Sequence, residues 1–298
     1  MSERWMRLRL TLPNSFVDWV SAEVVEWGSP GVEVLDAGIE GNSAESGQMS
    51  LDIYFPATSA ADSRSKLESF LQQLGEQVEP YFLGEAELTP EVDWAEHWRY
   101  QFPPLEIGNR LLILPPWERE RDPGTRIPIL LQPGMAFGTG IHPTTALVLG
   151  ELEGTIISFR HDTVLDIGCG SGILAMGAVA LGAGNVLAID YDRDAVEAAR
   201  ANIDLNVMSD RILVAQAKFP SLPARAGFDI VLANIYFTFF RMESRTLSDV
   251  MEPGSVLLAS GLRHMEGGAV VEELRSVGFE ADIASESDGW IIIRGVKQ

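Results

Sequence analysis

A chain of 298 residues has room for one large domain or two modest ones, and 46% hydrophobic with 22% charged residues is the profile of a folded globular protein, which excludes wholesale disorder. Twenty-two basic against 43 acidic side chains give a net charge of −21, which repels phosphate backbones and argues against nucleic-acid binding; such a surface serves solubility alone or steers a basic partner. One cysteine, Cys169, excludes an intramolecular disulfide framework and a zinc site built on several thiolates, and no metal is expected.

The first dozen residues lack the unbroken apolar core of a signal peptide. Residues 7–12 alternate polar and apolar, as a half-buried strand does. Asn14 is expected to cap a helix carrying Phe16, Val17, Val20, Val24 and Trp27 at helical spacing, ended by Gly28 to Gly31. An extended stretch at 32–35, a polar hairpin loop at 41–47 and a strand at 49–55 follow. A second helix is expected from Asp62 to about Leu74 on the strength of Leu67, Phe70, Leu71 and Leu74. This order predicts a small α+β unit, a split βαβ sandwich of the ferredoxin-like kind. Residues 1–85 hold 5 basic and 14 acidic side chains, so this unit shares the acidity. A junction rich in aromatics, residues 93–102, comes next; its spacing suits packing, and His97 is not read as a ligand.

From Arg110 onward strands and helices alternate to the end. Residues 164–189 are apolar enough to suggest a membrane span, but Asp166 and six glycines fit a buried strand and helix better, so a soluble, cytoplasmic protein is expected. With no heptad pattern or exposed apolar helix, a monomer is expected. In residues 163–176 an apolar strand runs into Gly168, Gly170 and Gly172 and then a helix. Glycines at such a turn let backbone N–H groups approach a ligand closely. A second strand, 185–190, ends in Asp190, 22 residues beyond Gly168, where a carboxylate accepts both hydroxyls of a ribose. Together these point to a nucleoside-containing ligand. Gly-x-Gly-x-Gly preceded by Asp166 departs from the dinucleotide spacing, and an acid at the mouth of the turn repels pyrophosphate but welcomes a cation. S-adenosylmethionine, with its sulfonium and ammonium, fits; the bland reading of Asp166 is a carboxylate bonded to the loop's own amides. Cys169 reads as a loop filler rather than a nucleophile. The strand 228–235 ends in Asn234 and Ile235. The Asn234 side-chain oxygen and the Ile235 carbonyl could accept N–H bonds from an amine nucleophile and align its lone pair with a sulfonium methyl; otherwise Asn234 is a turn residue.

The string from Gln132 to Thr145, QPGMAFGTGIHPTT, just ahead of the glycine turn, resembles the signature of the PrmA family, the methyltransferases of ribosomal protein L11. The glycine-loop residues 164–174 and the Ala233-Asn234-Ile235 segment match as well, and the resemblance covers essentially the whole chain. It implies a Rossmann-like, seven-stranded S-adenosylmethionine-dependent methyltransferase domain at 110–298. Ahead of it would come a ferredoxin-like substrate-recognition domain at 1–88 and a linker at 89–109. It also implies N-methylation of lysine ε-amines and the N-terminal α-amine of ribosomal protein L11, a basic protein partner. By motif position Thr145 would lie beside the methionine end of the cofactor, Gly168 in the loop, Asp190 on the ribose and Asn234 by the reacting centre. Phe137, Gly138, Thr139, Gly140 and His142 would form a loop over the cofactor, with His142-Pro143 also readable as a rigid turn. The chain departs from the family at Leu114-Pro115-Pro116-Trp117 and at Ile141. Methylation of another protein, a nucleic-acid amine methyltransferase, a non-catalytic cofactor-binding adaptor and a nicotinamide oxidoreductase are the competing readings. The absence of prolines after Asn234 and the negative charge weigh against the second of these, and the glycine spacing against the last.

Overall fold

The computed structural model describes residues 5–27, 29, 32–35, 48–75, 78–89, 102–132, 142–158, 163–221 and 227–298. The chain divides into two compact units, Met1–Trp98 and Arg99–Gln298.

In the first unit, strand β1 (Trp5–Pro13) is followed by helix α1 (Val17–Glu26), strands β2 (Val32–Leu35) and β3 (Gln48–Pro56), helix α2 (Ala60–Leu74), and the short strands β4 (Phe82–Leu83) and β5 (Glu87–Leu88). The sheet order β2-β3-β1-β4, with β5 also on β1, is the split βαβ arrangement. The predicted alternation in β1 holds: Leu8, Leu10 and Leu12 are wholly buried against Val17, Val20 and Val24 of α1 and Leu67 and Leu71 of α2. Arg7 and Arg9 point to the other face, where the Asp52 carboxylate takes two bonds from Arg9, at 2.6 and 2.7 Å, and one from Arg7 at 3.3 Å. Asn14, expected as a helix cap, is instead the first residue of a single 3-10 turn, Asn14–Phe16, whose capping position is Pro13. The hairpin loop at 41–47 and His97 lie outside the described residues.

The second unit begins with a three-stranded sheet of β6 (Leu105–Ile107), β7 (Leu111–Leu114) and β8 (Ile127–Leu130). Strand β6 falls within the stretch read as linker from sequence. Alternating helices and strands follow: α3 (Pro143–Ser158), β9 (Thr163–Ile167), α4 (Ile173–Leu181), β10 (Asn185–Asp190), α5 (Arg193–Leu205), β11 (Ile212–Gln216) and β12 (Phe228–Asn234). The chain closes with α6 (Phe237–Val250), β13 (Met251–Arg263), α7 (His264–Ser276), β14 (Phe279–Ser287) and β15 (Trp290–Lys297). The main sheet has the order β11-β10-β9-β12-β13-β15-β14, parallel except for β15, which runs antiparallel to both neighbours. Its central strands β9, β12 and β13 are apolar on both faces because both are covered there. Val164, Ile230, Leu232 and Leu258 pack into a core shared with α3, α4 and α5, while Leu165, Ile167, Val231 and Ala259 pack into a second core with α6 and α7. The chain moves outward from β9 to one side and from β12 to the other, so the direction of the topology reverses between these two strands. In open α/β sheets ligands bind at the carboxyl ends of the strands at that reversal.

Candidate active site

Strand β9 ends at Ile167 and the chain turns through Gly168, Gly170 and Gly172, all with positive φ (67°, 51° and 81°). Gly172 also needs its missing side chain: a Cβ there would stand 3.3 Å from Ala199 Cβ and 3.4 Å from Ala199 Cα on α5. The turn is stitched to β10, with Gly168 N and Cys169 N both donating to the Ile189 carbonyl at 2.8 and 3.0 Å. Asp190, at the tip of β10, completes it. Its Oδ2 accepts from Gly170 N and its Oδ1 from Asp192 N, each at 3.0 Å. The carboxylate is thereby held with one further acceptor direction on each oxygen.

Asp166 lies wholly buried on the α4 face of β9. Its Oδ2 accepts from Ala175 N at 3.1 Å, an amide of the first turn of α4 rather than of the glycine turn. Its Oδ1 has no partner. Burial, with a smaller contribution from nearby Asp190, outweighs the Ala175 bond and pushes the carboxyl up to about 7. Cys169 is buried and its thiol is pushed up by desolvation, opposite to what a nucleophile needs and consistent with a filler of the turn.

Across the reversal, Asn234 closes β12 on the same sheet face as Ile230 and Leu232, toward α3. Its Nδ2 donates to Thr145 Oγ1 over 3.5 Å, and its buried Oδ1 has no partner. Thr145, fully buried, is held by its own N–H on the His142 carbonyl at 3.0 Å. The next residue, Ile235, donates its N–H to the Ser260 carbonyl at 3.1 Å. Its side chain leans over the glycine turn, Cδ1 standing 3.2 Å from where a Gly168 Cβ would be. Its backbone passes so close to Gly261 (φ +81°) that a Cβ there would fall 2.6 Å from the Ile235 oxygen. Asp166, Gly168, Gly170, Gly172, Asp190, Thr145, Asn234 and Ile235, singled out in the sequence, are therefore gathered at one end of β9, β10 and β12. Phe137, Gly138, Thr139 and Gly140 lie outside the described residues.

Three more groups adjoin this end, and of them only His142 was singled out. The turn Asp288-Gly289, both residues at positive φ (51° and 75°), returns the chain so that Trp290 pairs with Ser287 and with Arg263. The Trp290 ring meets the His142 ring edge-on at 4.8 Å between centroids and carries the Arg263 guanidinium 3.7 Å over its face. His142 Nδ1 stands 2.7 Å from Thr144 Oγ1 and accepts from Thr144 N at 3.3 Å, which caps the first turn of α3 and makes His142 a rigid turn residue rather than a free base. The third group is Asn202 and Asn206, on and just after α5. An Asp-Gly pair followed by an aromatic strand, and two asparagines four apart on a helix, were the signals in the sequence for Trp290 and for this pair.

Buried polar atoms without partners are rare in folded proteins. Among the described residues three side-chain atoms are so placed, and two are Asp166 Oδ1 and Asn234 Oδ1; the third, Ser21 Oγ, belongs to α1. Two orphaned acceptors beside a glycine turn and a ribose-competent carboxylate suit a nucleoside ligand that brings positive charge and N–H donors. They do not suit a pyrophosphate. S-adenosylmethionine fits that description: Gly168, Gly170, Gly172 and Asp190 could hold its nucleoside and Asp166 and Thr145 its amino-acid end, with Asn234 left to face the reacting centre.

The family model described as ribosomal protein L11 methyltransferase (PrmA) matches residues 4–298. A ribosomal protein L11 methyltransferase of Shewanella halifaxensis is 33% identical over 302 residues, spanning 99% of each chain. One from Tolumonas auensis is 38% identical over 230 residues, covering 77% of this chain and 75% of its own. The crystal structure of a ribosomal protein L11 methylase from Lactobacillus delbrueckii subsp. bulgaricus superposes with a TM-score of 0.59 at 28% identity, covering 65% of this chain and 99% of that one.

Proposed function

The chain belongs to the ribosomal protein L11 methyltransferase family, S-adenosylmethionine-dependent protein methyltransferases, and from that premise we propose that it methylates lysine ε-amines and the N-terminal α-amine of ribosomal protein L11. The observation that carries this reading is the orphaned Oδ1 of Asn234, whose neighbour Ile235 lays its side chain over the glycine turn. When bound, the cofactor supplies a methyl group already activated on sulfur, so the protein's task is placement rather than acid catalysis. Asp190 takes the ribose hydroxyls while the Gly170 and Asp192 amides keep its carboxylate in place. Asp166 offers a buried negative charge to the cationic end. Thr145 fixes the Asn234 amide by accepting from Nδ2, which leaves Oδ1 as the acceptor for the incoming nitrogen. Two acceptors, Asn234 Oδ1 and the Ile235 carbonyl, hold the N–H groups of a neutral amine and point its lone pair away from them. A lysine must shed its proton first, and withdrawal from water next to a cationic ligand favours that loss.

The N-terminal unit is read as the part that selects the protein substrate. Its described arginines are already engaged by carboxylates: Arg7 and Arg9 by Asp52, Arg7 also by Glu87, and Arg64 by Glu68. The remaining acidic surplus suits a basic partner. No helix among the described residues is long and apolar enough to cross a membrane; a monomer working in the cytoplasm fits this reading. Incubation with methyl-labelled S-adenosylmethionine and purified ribosomal protein L11 tests the reading. Label is expected on lysines and the α-amine by mass mapping. An unlabelled L11 beside a different labelled protein in a cell extract would transfer the chemistry to another substrate.

A further inference from the structure

The glycine turn rests on helix α5, which itself carries none of the positions assigned to the cofactor. Asn202, on the inner face of α5 and 2% exposed, spends its whole amide on two separate strands of chain. Its Nδ2 donates to the Ser171 carbonyl, in the middle of the glycine turn, at 2.9 Å, and its Oδ1 accepts from Gln132 N, just beyond β8, at 2.9 Å. One turn further on, Asn206 grips the backbone of Leu130, its Oδ1 accepting from Leu130 N at 2.8 Å and its Nδ2 donating to the Leu130 carbonyl at 2.6 Å; Nδ2 also donates to the Asn202 carbonyl at 2.8 Å and faces Met176 Sδ at 3.3 Å. The two asparagines thus act as a substitute strand edge along residues 130–132, but Asn202 alone extends that edge to the glycine turn. The same stretch of α5 meets the turn through Ala199, which would crowd a Cβ at Gly172, so Ser171 is held between an immovable glycine contact and a directed amide bond.

Resting on the cofactor reading above, we propose that Asn202 is a positioning residue for S-adenosylmethionine. It sets the orientation of the Ser171 peptide, and so of the flanking turn amides, and locks that turn to the exit of β8 without itself meeting the ligand. Asn206 is the built-in control, because it ties the same strand and not the turn.

The test measures affinity for S-adenosylhomocysteine by calorimetry, alongside Tm, on the full chain. Asn202→Ala is expected to weaken binding about tenfold, the scale of one buried hydrogen bond. Asn206→Ala is expected to lower Tm at least as much and leave Kd within about twofold of the parent, since ordinary surface and scaffold losses act on stability first. Asn202→Asp keeps the acceptor for Gln132 N and removes the donor to Ser171, in an isosteric side chain that preserves packing. At about pH 8 it should bind as poorly as Asn202→Ala, and the ratio of its Kd to that of the parent should fall toward one as pH is lowered, because burial raises the introduced carboxyl above its ordinary value and protonation restores an O–H donor. Taking the ratio removes the pH dependence that Asp166 gives to both proteins. Equal losses of affinity in the Asn202 and Asn206 variants, in proportion to Tm, would reduce Asn202 to scaffold and overturn the proposal, as would an unchanged Kd in Asn202→Asp at the higher pH. A parent protein that binds no S-adenosylhomocysteine would instead sink the cofactor reading, and this inference with it.

Discussion

Asn234 and Asp166 each leave one buried oxygen without a donor, yet the two atoms ask for different things. The Asn234 oxygen is neutral, and its partner arrives only with the second substrate. Asn234→Ala is therefore expected to leave the Kd for S-adenosylmethionine nearly unchanged and to lower kcat about 100-fold, the scale of a reacting group misplaced by about 1 Å. Weakened cofactor binding with a normal kcat would reverse that assignment. The Asp166 carboxyl must either keep a proton or carry an uncompensated charge, and burial raises it to about 7 from the 3.8 of a free aspartate. An acid raised in the folded state binds more protons folded than unfolded across that interval, so its contribution to stability is present at low pH and lost as pH rises toward 7. Asp166→Asn, which keeps the acceptor for Ala175 N, should thus raise the Tm of the ligand-free protein by several degrees at about pH 8 and by distinctly less at about pH 5, nearer the value of a free aspartate. Thermal scans at both values check this; an equal shift at both would place the charge elsewhere.

At the scale of elements, the glycine turn shows why some of the site was legible and some was not. Gly168, Gly172 and Asp190 belong to one strand-turn-helix-strand unit, so their spacing alone announces their geometry. Asn234 was legible for a similar reason, sitting at the end of an apolar strand. Trp290 and Asn202 were not, because their roles depend on which strands pair: Trp290 reaches the site only because β15 inserts antiparallel between β13 and β14. Strand β6 was hidden for a like reason, since Leu105–Ile107 is too short to announce itself and is defined by its partner β7. The turn itself can be probed by comparing two glycines at positive φ. Gly172→Ala places a side chain in left-handed backbone, at a cost of about 1–2 kcal/mol, and also pushes on Ala199 of α5. Gly124 has similar backbone (φ +61°) with nothing within 4 Å of a Cβ. Both substitutions should lower Tm, Gly172→Ala the more, and only Gly172→Ala should weaken cofactor binding; equal binding by both would mean the turn relaxes independently of α5.

For the molecule as a whole, the decisive feature is that, among the described residues, each unit has its own interior. One apolar cluster draws only on residues between Leu8 and Val78, and the other two draw only on residues between Ile107 and Ile293. Every described residue assigned to cofactor or amine belongs to the second unit, whereas the surplus acidity of the first has no role in methyl transfer. If the division of labour follows the division of cores, a fragment comprising residues 99–298 should fold and bind S-adenosylhomocysteine with the affinity of the full chain. Methylation of ribosomal protein L11 by that fragment should collapse through a raised KM rather than a lowered kcat, because the reacting groups are intact. The full chain should also show a KM that rises with salt, as attraction between an acidic unit and a basic substrate is screened, and the fragment should lose that dependence. Saturation kinetics at two salt concentrations separate these outcomes. A fragment that methylates L11 with the parent's KM would place substrate selection on the catalytic unit and leave the N-terminal sandwich without the role given to it here.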